Sequence, residues 1–411
     1  MRLLISTICA LVLCSCQSNQ VKEKQMKIYP LENPSSLTDN KENQLRLGGF
    51  SGLFYDKNSN PEQPKFFTVT DRGPNGEPFK YKDNYTARVF FIPDFQPRIV
   101  QLQIKDKVLE VIKQIPLTNP DGSKISGRPN RSDSSDEFPL NIKKEPLPFD
   151  LNGLDTESIA LDDKGHFWLS EEYRPSILKF DQNGKMIKRF VPENSFTKDE
   201  VISLQKKYGK SFLVAHLPEV YRQRMLNRGF EAMTIYKNKL YAMTQSSLAL
   251  NEKKKSESSV IRILEFDINT EKVTAEYIYL MEHKKIKLGD MTVTKSGELL
   301  ILEQDGVVGE NGYRSIFKIN LQNATNIFDL KLSKYPENMS DEDLHKSLKP
   351  VKKELLLDLV KEGFNFAEKV EGLTLIDDQT LAVMNDNDFG IENGEVTNQN
   401  KSTIGIFGFS P

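Results

Sequence analysis

The sequence predicts an all-β protein, a β-propeller of four-stranded antiparallel sheets around a central channel, with helical insertions. Three observations lead to this fold class. A two-strand motif recurs five times, its copies are unevenly spaced over nearly all of the 411 residues, and further short apolar runs follow each copy. Repeated two-strand units at long intervals are typical of radial β-architectures, in which each repeat opens one blade.

Each copy of the motif is a short apolar run opened by Ser, Glu or Asp, then a turn, then a second apolar run that ends in a polar side chain. We count five blades from these copies, and a sixth would require an irregular blade hidden in an insertion. The copies are Phe50 to Asp71, Thr156 to Glu171, Phe230 to Gln245, Gly289 to Glu303 and Val370 to Asn385.

The outer strands of each blade are assigned to the apolar runs after each copy. In the first blade these runs are A-R-V-F-F-I-P-D and R-I-V-Q-L-Q-I-K, and in the fourth R-S-I-F-K-I-N-L and N-A-T-N-I-F-D-L. The fifth copy supplies only three strands. We expect the segment Met26 to Leu31 to complete that sheet, because pairing the two chain ends would close the ring and remove an exposed edge.

Three insertions interrupt the pattern. The segment from Thr118 to Phe149 is rich in Pro, Ser, Asn and charge and predicts a long loop with little core of its own. The segments Lys198 to Asn227 and Ser340 to Glu362 carry apolar residues at helical spacing, which predicts a helix over one face in each.

The first 16 residues predict a lipoprotein signal peptide. A single positive charge precedes an apolar stretch too short to span a bilayer, and Leu13-Cys14-Ser15 before Cys16 has the pattern of a lipidation box. Residues 17–27 then form a flexible tether and residues 28–411 the propeller. Since Gln17 is not the Asp that retains lipoproteins in the inner membrane, an outer-membrane protein facing the periplasm or the outside is expected. The alternative is an ordinary cleaved signal with incidental cysteines.

The overall charge selects no partner, so partners must be argued from local clusters. With 56 basic and 58 acidic residues the net charge is −2, so no global field attracts nucleic acid. We expect a monomer that contacts the membrane through its lipid anchor.

The motif also predicts where a site lies. The first residue of strand one and the last of strand two share one end of an antiparallel hairpin, so five copies place two rings of polar side chains on one rim of the channel. The first ring is Ser51, Glu157, Glu231, Asp290 and Glu371. The second ring is Asp71, Glu171, Gln245, Glu303 and Asn385, with Glu172, Asp305, Asp386 and Asp388 just beyond.

Seven of these ten ring positions are carboxylates, which repel one another unless they are protonated or hold a cation. Oxygen ligands suit Ca²⁺, with Mg²⁺ as the alternative, and the four histidines lack the spacing of a zinc site. The alternative for each acid is a structural cap on backbone amides of a neighbouring blade. The predicted metal ligands are Glu157, Glu231, Asp290, Glu371, Asp71, Glu303, Asp386 and Asp388.

Basic side chains accompany the acids. Arg72, Arg174 and Arg228 stand beside ring residues, an arrangement suited to a metal-assisted phosphate site, or simply to ion pairs with the neighbouring acids. Ser51 lies in G-G-F-S-G-L, which lacks the spacing of a serine-hydrolase nucleophile elbow.

Eight ordered motifs then resemble one known family. They are G-G-F-S-G-L, T-D-R-G-P-N-G-E-P, D-T-E-S-I-A-L, S-E-E-Y-R-P-S-I, N-R-G-F-E-A-M-T, L-E-Q-D-G, K-V-E-G-L-T-L and N-D-N-D-F-G. From about Leu47 onward the chain resembles the bacterial "esterase-like activity of phytase" family, which implies a phosphoesterase-like hydrolase. It departs from the family pattern at Ser158, where Gly is usual, at Gln245, and at Gln304, where Arg is usual.

The leading functional prediction is a calcium-dependent phosphoric-ester hydrolase. Arg72 and Arg228, with Arg174, would bind the anion, and Glu231 or Glu371 would act as the catalytic base. Two alternatives stay open: a cell-surface propeller that binds a ligand or partner around structural calcium, and a hydrolase that opens lactones.

Overall fold

Five antiparallel sheets form a ring in the part of the chain that the computed structural model describes, residues 26–38, 44–82, 85–130, 136–250 and 258–409. The predicted signal peptide, Cys16 and most of the tether lie outside the described residues. The strands are β1 Lys27–Pro30, β2 Phe50–Tyr55, β3 Lys65–Thr70, β4 Phe79–Lys80, β5 Thr86–Val89, β6 Arg98–Lys105, β7 Val108–Pro116, β8 Phe138–Leu140, β9 Thr156–Leu161, β10 Phe167–Glu171, β11 Ser176–Phe180, β12 Met186–Pro192, β13 Leu213–Leu217, β14 Phe230–Tyr236, β15 Lys239–Thr244, β16 Val260–Asp267, β17 Lys272–Leu280, β18 Lys287–Val293, β19 Leu299–Gln304, β20 Arg314–Asn320, β21 Lys352–Asp358, β22 Lys369–Asp377, β23 Thr380–Asp386, β24 Ile391–Glu392, β25 Glu395–Val396 and β26 Thr403–Gly408.

Each sheet is one blade of a propeller. Blade 1 is β2-β3-β6-β7, blade 2 is β9-β10-β11-β12 with β13 added in parallel, blade 3 is β14 to β17, blade 4 is β18 to β21, and blade 5 is β22-β23-β26-β1. The innermost strands β2, β9, β14, β18 and β22 contact one another in that order, and β22 contacts β2. The ring is therefore closed, and the predicted fold class, an all-β propeller, is confirmed with five blades among the described residues.

The ring closes by pairing the two ends of the chain. Strand β1 pairs antiparallel with β26, with Lys27 opposite Ile406 and Pro30 opposite Thr403. The N-terminal segment thus becomes the outermost strand of blade 5, as the sequence predicted.

Apolar side chains fill the spaces between adjacent blades. Between blades 2 and 3, Trp168 is fully buried and stacks on Phe190, whose ring lies 4.9 Å from that of Phe266. Because period-2 alternation places these residues on the faces of each sheet, successive blades bury each other's faces and hold the central ring of strands together.

Two assignments of outer strands were wrong. In blade 1 the run Ala87 to Asp94 contributes to β5 of a small separate sheet with β4 and β8, and the third and fourth strands are β6 and β7. In blade 4 the fourth strand is β21, which begins about twenty residues after the end of the predicted run N-A-T-N-I-F-D-L. No residue of β21 is fully buried, and its sequence K-K-E-L-L-L-D lacks the alternation by which half-buried strands are recognised.

The insertions carry two α-helices, α1 Lys198–Tyr208 and α2 Asp341–Ser347, besides 3₁₀ turns at Glu219–Gln223, Pro336–Asn338 and Asp388–Gly390. Thr197 caps α1 in a capping box with Glu200. The second predicted helix is shorter than expected, because Leu355 lies on β21. No helix among the described residues has the length and apolarity needed to cross a membrane.

The insertion between Thr118 and Phe149 has more order than the predicted loop. Its strand β8 pairs in parallel with β5, and Phe138 stacks on Tyr81 at 5.3 Å. The insertion also brings the buried carboxylate Glu137 against the first blade, where it becomes part of the site.

Candidate functional site

The first predicted ring lies at irregular points of the innermost strands. In blade 2 the pairs Thr156–Glu171 and Ile159–Leu169 leave two residues, Glu157 and Ser158, opposite one. The register also shifts next to the ring residue in the other four blades. A β-bulge breaks the alternation of side chains and re-aims the bulged residue, and in each blade the bulge includes or directly follows the ring position.

Three ring carboxylates converge at the channel. Ligand atoms of Glu157, Glu231 and Glu371 lie within 4.8 Å of one another, and all three side chains are buried. Both oxygens of Glu231 lack a hydrogen-bond partner among the described residues, although Gln245 is a polar neighbour. Burial, followed by the nearby carboxylates, raises the pKa of Glu157 and of Glu231 well above the usual range. Lys287 Nζ, 3.3 Å from Glu371 Oε1, is the ion-pair partner of the group among the described residues.

Asp290, the fourth acid of the ring, has a different environment. Its Oδ2 accepts hydrogen bonds from the backbone amides of Leu53 (3.3 Å) and Leu373 (2.9 Å), and its Oδ1 accepts from Ser158 Oγ (2.9 Å) and the Met291 amide (2.8 Å). Burial raises the pKa of Asp290 to about 8. The carboxylate joins the inner strands of blades 1, 2, 4 and 5, which is the structural cap considered as the alternative to metal binding.

A cavity of about 1280 Å³ opens above this group, at the end of the channel where the ring residues lie. Its wall mixes acidic and basic side chains. The acids among them are Asp71, Glu77, Glu157, Glu172, Asp305, Glu368, Glu371, Asp386, Asp388 and Glu392, and the bases are Arg72, Arg88, Arg228, Lys284, Lys285, Lys287, Lys369 and Lys401. Such a wall suits an anionic ligand bound together with a cation.

A second acidic group shares a member with the first. Ligand atoms of Asp155, Glu157 and Glu172 lie within 4.8 Å of one another, and all three residues are buried. Burial and then Asp155 raise the pKa of Glu172 to about 8, against the opposite influence of Arg72 and Arg228. Glu172 Oε1 and Asp155 Oδ2 have no hydrogen-bond partner among the described residues.

The third acidic group, Asp71, Asp386 and Asp388, lies at the blade 1 and blade 5 side of the cavity. Lys369 Nζ is 3.2 Å from Asp386 Oδ2 and also contacts Asp388. Burial and then Asp386 raise the pKa of Asp71. An ammonium group therefore already occupies this side of the cavity.

The arginines differ in how far the protein neutralises them. Arg72 donates to Glu137 at 3.0 Å and to Asn227 at 2.6 Å, and its Nε is 3.3 Å from Asp155 Oδ2. Arg228 donates to the Asn227 carbonyl oxygen and, within the described residues, forms no ion pair. It is the guanidinium in the cavity wall best placed to bind an anion.

Three residues that the sequence analysis placed on the rim lie outside the cavity wall. Glu303 accepts from Lys353 (2.6 Å), Tyr313 and the Glu282 amide. Glu171 forms a fully buried ion pair with Arg189. Arg174 donates to Glu200 and to backbone oxygens, with its guanidinium 4.0 Å from the ring centre of Phe196. The structure thus gives each of these three side chains partners that belong to none of the acidic groups.

Register contributes to the separation of Glu171 and Glu303 from the cavity wall, although Asn385, at the equivalent register, lines the cavity. The second ring combined residues from two adjacent positions: Glu171, Glu303 and Asn385 pair across the inner hairpin, whereas Asp71 and Gln245 come one residue later. Successive side chains of a strand point to opposite faces, so a one-residue difference changes the direction. In blade 2 it is Glu172, one residue after Glu171, that lines the cavity.

Two acidic residues of the site were not predicted. Asp155 accepts the Arg72 backbone amide at 3.0 Å, and Glu137 accepts from both Arg72 and Arg88. Asp155 stands two residues before Glu157, a spacing that places side chains on one face of a strand and was available in the sequence. Glu137 comes from the insertion, and no local sequence pattern indicates where the insertion packs.

A family model identifies the family of this chain, and one curated relative matches part of it. A family model described as phytase-like, esterase-like activity of phytase, matches residues 45–389. An uncharacterized secreted protein of Arthroderma benhamiae is 28% identical over 246 residues, which are 49% of this chain and 46% of that protein. The match therefore spans about half the length of that relative.

Solved structures match most of this chain at low similarity. Virginiamycin B lyase of Staphylococcus aureus matches with a TM-score of 0.33 and 11% identity, over 93% of this chain and 99% of that one. The PQQ-bound aldose sugar dehydrogenase of Streptomyces coelicolor gives a TM-score of 0.36 and 8% identity, over 93% and 98%. At these values the likenesses carry no functional argument.

Proposed function

The chain belongs to the phytase-like family, esterase-like activity of phytase, and from this membership we propose that it is a calcium-dependent phosphoric-ester hydrolase acting in the cavity at the mouth of its channel. The observation that carries the proposal is the group Glu157, Glu231 and Glu371. Their ligand atoms lie within 4.8 Å of one another, and both Glu231 oxygens are buried without a hydrogen-bond partner among the described residues.

The donor set fits a hard divalent cation. Every ligand in the group is a carboxylate oxygen, which suits Ca²⁺ and Mg²⁺, and Ca²⁺ tolerates the irregular arrangement of six to eight oxygens better. A cation here would replace the protons that burial and mutual repulsion otherwise impose on Glu157 and Glu231. Glu157, Glu231 and Glu371 would hold it.

Basic side chains of the wall would bind the phosphate. Arg228 has no ion pair among the described residues, and Lys287 Nζ lies 3.3 Å from Glu371 Oε1, so both place positive charge beside the acidic group. Bound calcium would supply Lewis-acid polarisation of a phosphoryl oxygen. The guanidinium of Arg228 would hold the remaining phosphate oxygens through charge-assisted hydrogen bonds.

Glu371 is the base that this arrangement favours. It lines the cavity, whereas Glu231 lies beneath the wall. Its Oε2 accepts a long hydrogen bond of 3.3 Å from Ser51 Oγ, and its Oε1 a similar one from Lys287. With one Glu371 oxygen on the cation, the other would accept a proton from an attacking water in the cavity.

A second candidate, a binding propeller with structural calcium, is favoured by two observations. Arg72 is already surrounded by Glu137, Asp155 and Asn227, and Asp290 serves as a cap. Part of the predicted site therefore stabilises the fold, and in this case the cavity would bind a ligand without catalysing a reaction.

Export completes the proposal. The Cys16 box, the tether of residues 17–27 and the relative described as secreted support an exported lipoprotein, which we place in the outer membrane on its periplasmic or surface face as a monomer. The small-molecule substrate would then be hydrolysed outside the cytoplasm.

The decisive experiment measures turnover of an aryl phosphate, phytate and an aliphatic lactone by the purified protein, with calcium, with magnesium and with chelator. Phosphate release that chelator abolishes and calcium restores is expected. Faster opening of the lactone would select the lactonase, and calorimetric binding of phosphate without turnover of any ester would select the binding propeller.

A further inference from the structure

Two exposed apolar side chains lie in the wall of the cavity, which is otherwise mainly polar. Val308 is 55% exposed and Phe366 is 40% exposed, and both line the cavity. Val308 lies in the loop after β19 of blade 4, and Phe366 lies in the loop before β22 of blade 5. We call these two side chains the apolar lip.

The two residues of the lip are neighbours. The backbone amide of Gly309 donates a hydrogen bond of 2.7 Å to the carbonyl oxygen of Asn365. This bond joins the peptide group between Val308 and Gly309 to the peptide group between Asn365 and Phe366. Because the lip residues flank one hydrogen bond between two loops, a single ligand can contact both.

Buried groups hold the two loops in place. Arg314 is fully buried and donates hydrogen bonds to the carbonyl oxygens of Val307 (2.9 Å) and Ala367, the chain neighbours of the lip residues. The ring of Phe366 lies 4.6 Å from that of Phe364, which is fully buried in the core between blades 4 and 5. The lip is therefore formed before a ligand binds, which reduces the entropy lost on binding.

The lip lies near the position proposed for the phosphate. Glu371, the proposed base, follows Phe366 by five residues, so their Cα atoms are at most about 18 Å apart. Both side chains line the same cavity. Exposed apolar side chains at a binding groove are stabilised by an apolar partner, whereas Arg228 and a cation require an anion. A ligand that satisfies both carries an anionic group and an apolar group on one molecule.

We propose that the apolar lip is a subsite for the alcohol part of the substrate, and that the substrate is a phosphoric ester of an alcohol with an extended alkyl or aryl group. The inference rests on the proposed function and deepens it by naming the substrate class. A polar ester that carries many charges would leave the lip in water. Removing about 60 Å² of apolar surface from water at the lip should strengthen binding about tenfold.

Calorimetric titration with two phosphonates tests the proposal without turnover, because the carbon–phosphorus bond is not an ester bond. Methylphosphonate and hexylphosphonate are titrated into the full chain in the presence of calcium. We expect hexylphosphonate to bind about tenfold more tightly. Val308→Ser and Phe366→Ser should each reduce this preference, and the double variant should abolish it. The affinity for methylphosphonate should not change in any of them.

Ile142→Ser is the matched control, because Ile142 is 65% exposed and lies outside the cavity wall, and this variant should keep the preference. Circular dichroism verifies that each variant is folded. Equal affinities of the wild type for the two phosphonates overturn the subsite and leave the proposed function standing. An undiminished preference in the folded double variant also overturns the subsite. Absence of binding of either phosphonate overturns both proposals.

Discussion

The carboxylate of Asp290 accepts a hydrogen bond from the backbone amide of Leu373 at 2.9 Å, so a side chain of blade 4 ends on the innermost strand of blade 5. The same oxygen accepts the amide of Leu53 in blade 1, and the other oxygen accepts Ser158 Oγ in blade 2. One acid of the predicted metal ring thus connects four blades at the channel.

Replacing Asp290 by Asn should destabilise the protein. The amide NH₂ would face buried donors that now meet an oxygen, and each buried group left unsatisfied costs about 1–3 kcal/mol. Urea unfolding should therefore give a lower free energy of unfolding. Asp378→Asn, at an exposed position, is the control and should have no effect. A stable Asp290→Asn protein that has lost calcium would instead identify Asp290 as a ligand.

Stability without calcium should fall as pH rises from about 5 to about 8. Burial raises the pKa of Glu171 to about 7 and the pKa values of Glu172 and Asp290 to about 8, above their ordinary values of 4.5 and 3.8. Between those limits the native state binds more protons than the unfolded state, so raising the pH favours unfolding. Calorimetric melting in chelator at pH 5 and pH 8 measures this fall.

Calcium should counteract that loss. If the cation replaces protons on the acidic groups, it should raise the melting temperature more at pH 8 than at pH 5, because fewer protons compete with it. Equal increments at the two pH values would contradict binding at these buried carboxylates.

Arg228→Gln and Arg174→Gln should distinguish an arginine that binds phosphate from one that stabilises the fold. Loss of the Arg228 hydrogen bonds to phosphate, about 1.5–3 kcal/mol for a charged pair, should raise KM about ten- to hundredfold with little change in stability. Arg174 is buried among Glu200, Ser195 and Asn130, so its replacement should lower stability and leave KM unchanged in the folded fraction. Steady-state kinetics and urea unfolding of both variants provide the comparison, and a reversed pattern would place the anion near Arg174.

Glu371→Gln should lower kcat about a hundredfold or more, the usual contribution of a general base. Glu303→Gln is its matched control, since both acids come from the repeated motif but Glu303 is bound to Lys353 and Tyr313 outside the cavity wall. The control should reduce stability and retain kcat. Equal loss of kcat in both variants would contradict the assignment of Glu371 as general base from its place in the cavity wall.

Cys16→Ala should release the protein from the membrane fraction. Two acyl chains on one cysteine give durable anchoring, and without that cysteine no lipid is attached. Cys14→Ala is the control within the same segment and should remain anchored. Fractionation followed by intact-mass measurement distinguishes the two, and a membrane-bound Cys16→Ala protein would contradict lipidation there.

Much of the architecture followed from local patterns. The inner hairpins and the five blades were predictable because the inner strands are buried on both faces and leave short continuous apolar runs in the sequence, and the pairing of β1 with β26 followed from the missing fourth strand. Strand β21 was not, since an exposed outer strand has no such pattern and a long insertion separates it from β20.

The candidate site was predictable in location and only partly in membership. The convergence of Glu157, Glu231 and Glu371 follows from equivalent positions in equivalent blades. The roles of Glu171 and Glu172 depend instead on a one-residue register at a bulge, and that of Glu137 on how an insertion docks. None of these is encoded in the local alternation of polar and apolar residues.

The sequence by itself therefore determined the propeller and the rim on which acids gather, because burial imposes a repeated local pattern on every blade. Only the tertiary structure decided which acid belongs to the acidic group at the cavity and which forms hydrogen bonds with a neighbouring blade. Asp290 and Glu231 occupy the same motif position, yet one meets backbone amides of other blades and the other faces carboxylates, Lys287 and Gln245. That difference arises from bulges and from the contacts between blades, which bring together residues hundreds of positions apart in the chain.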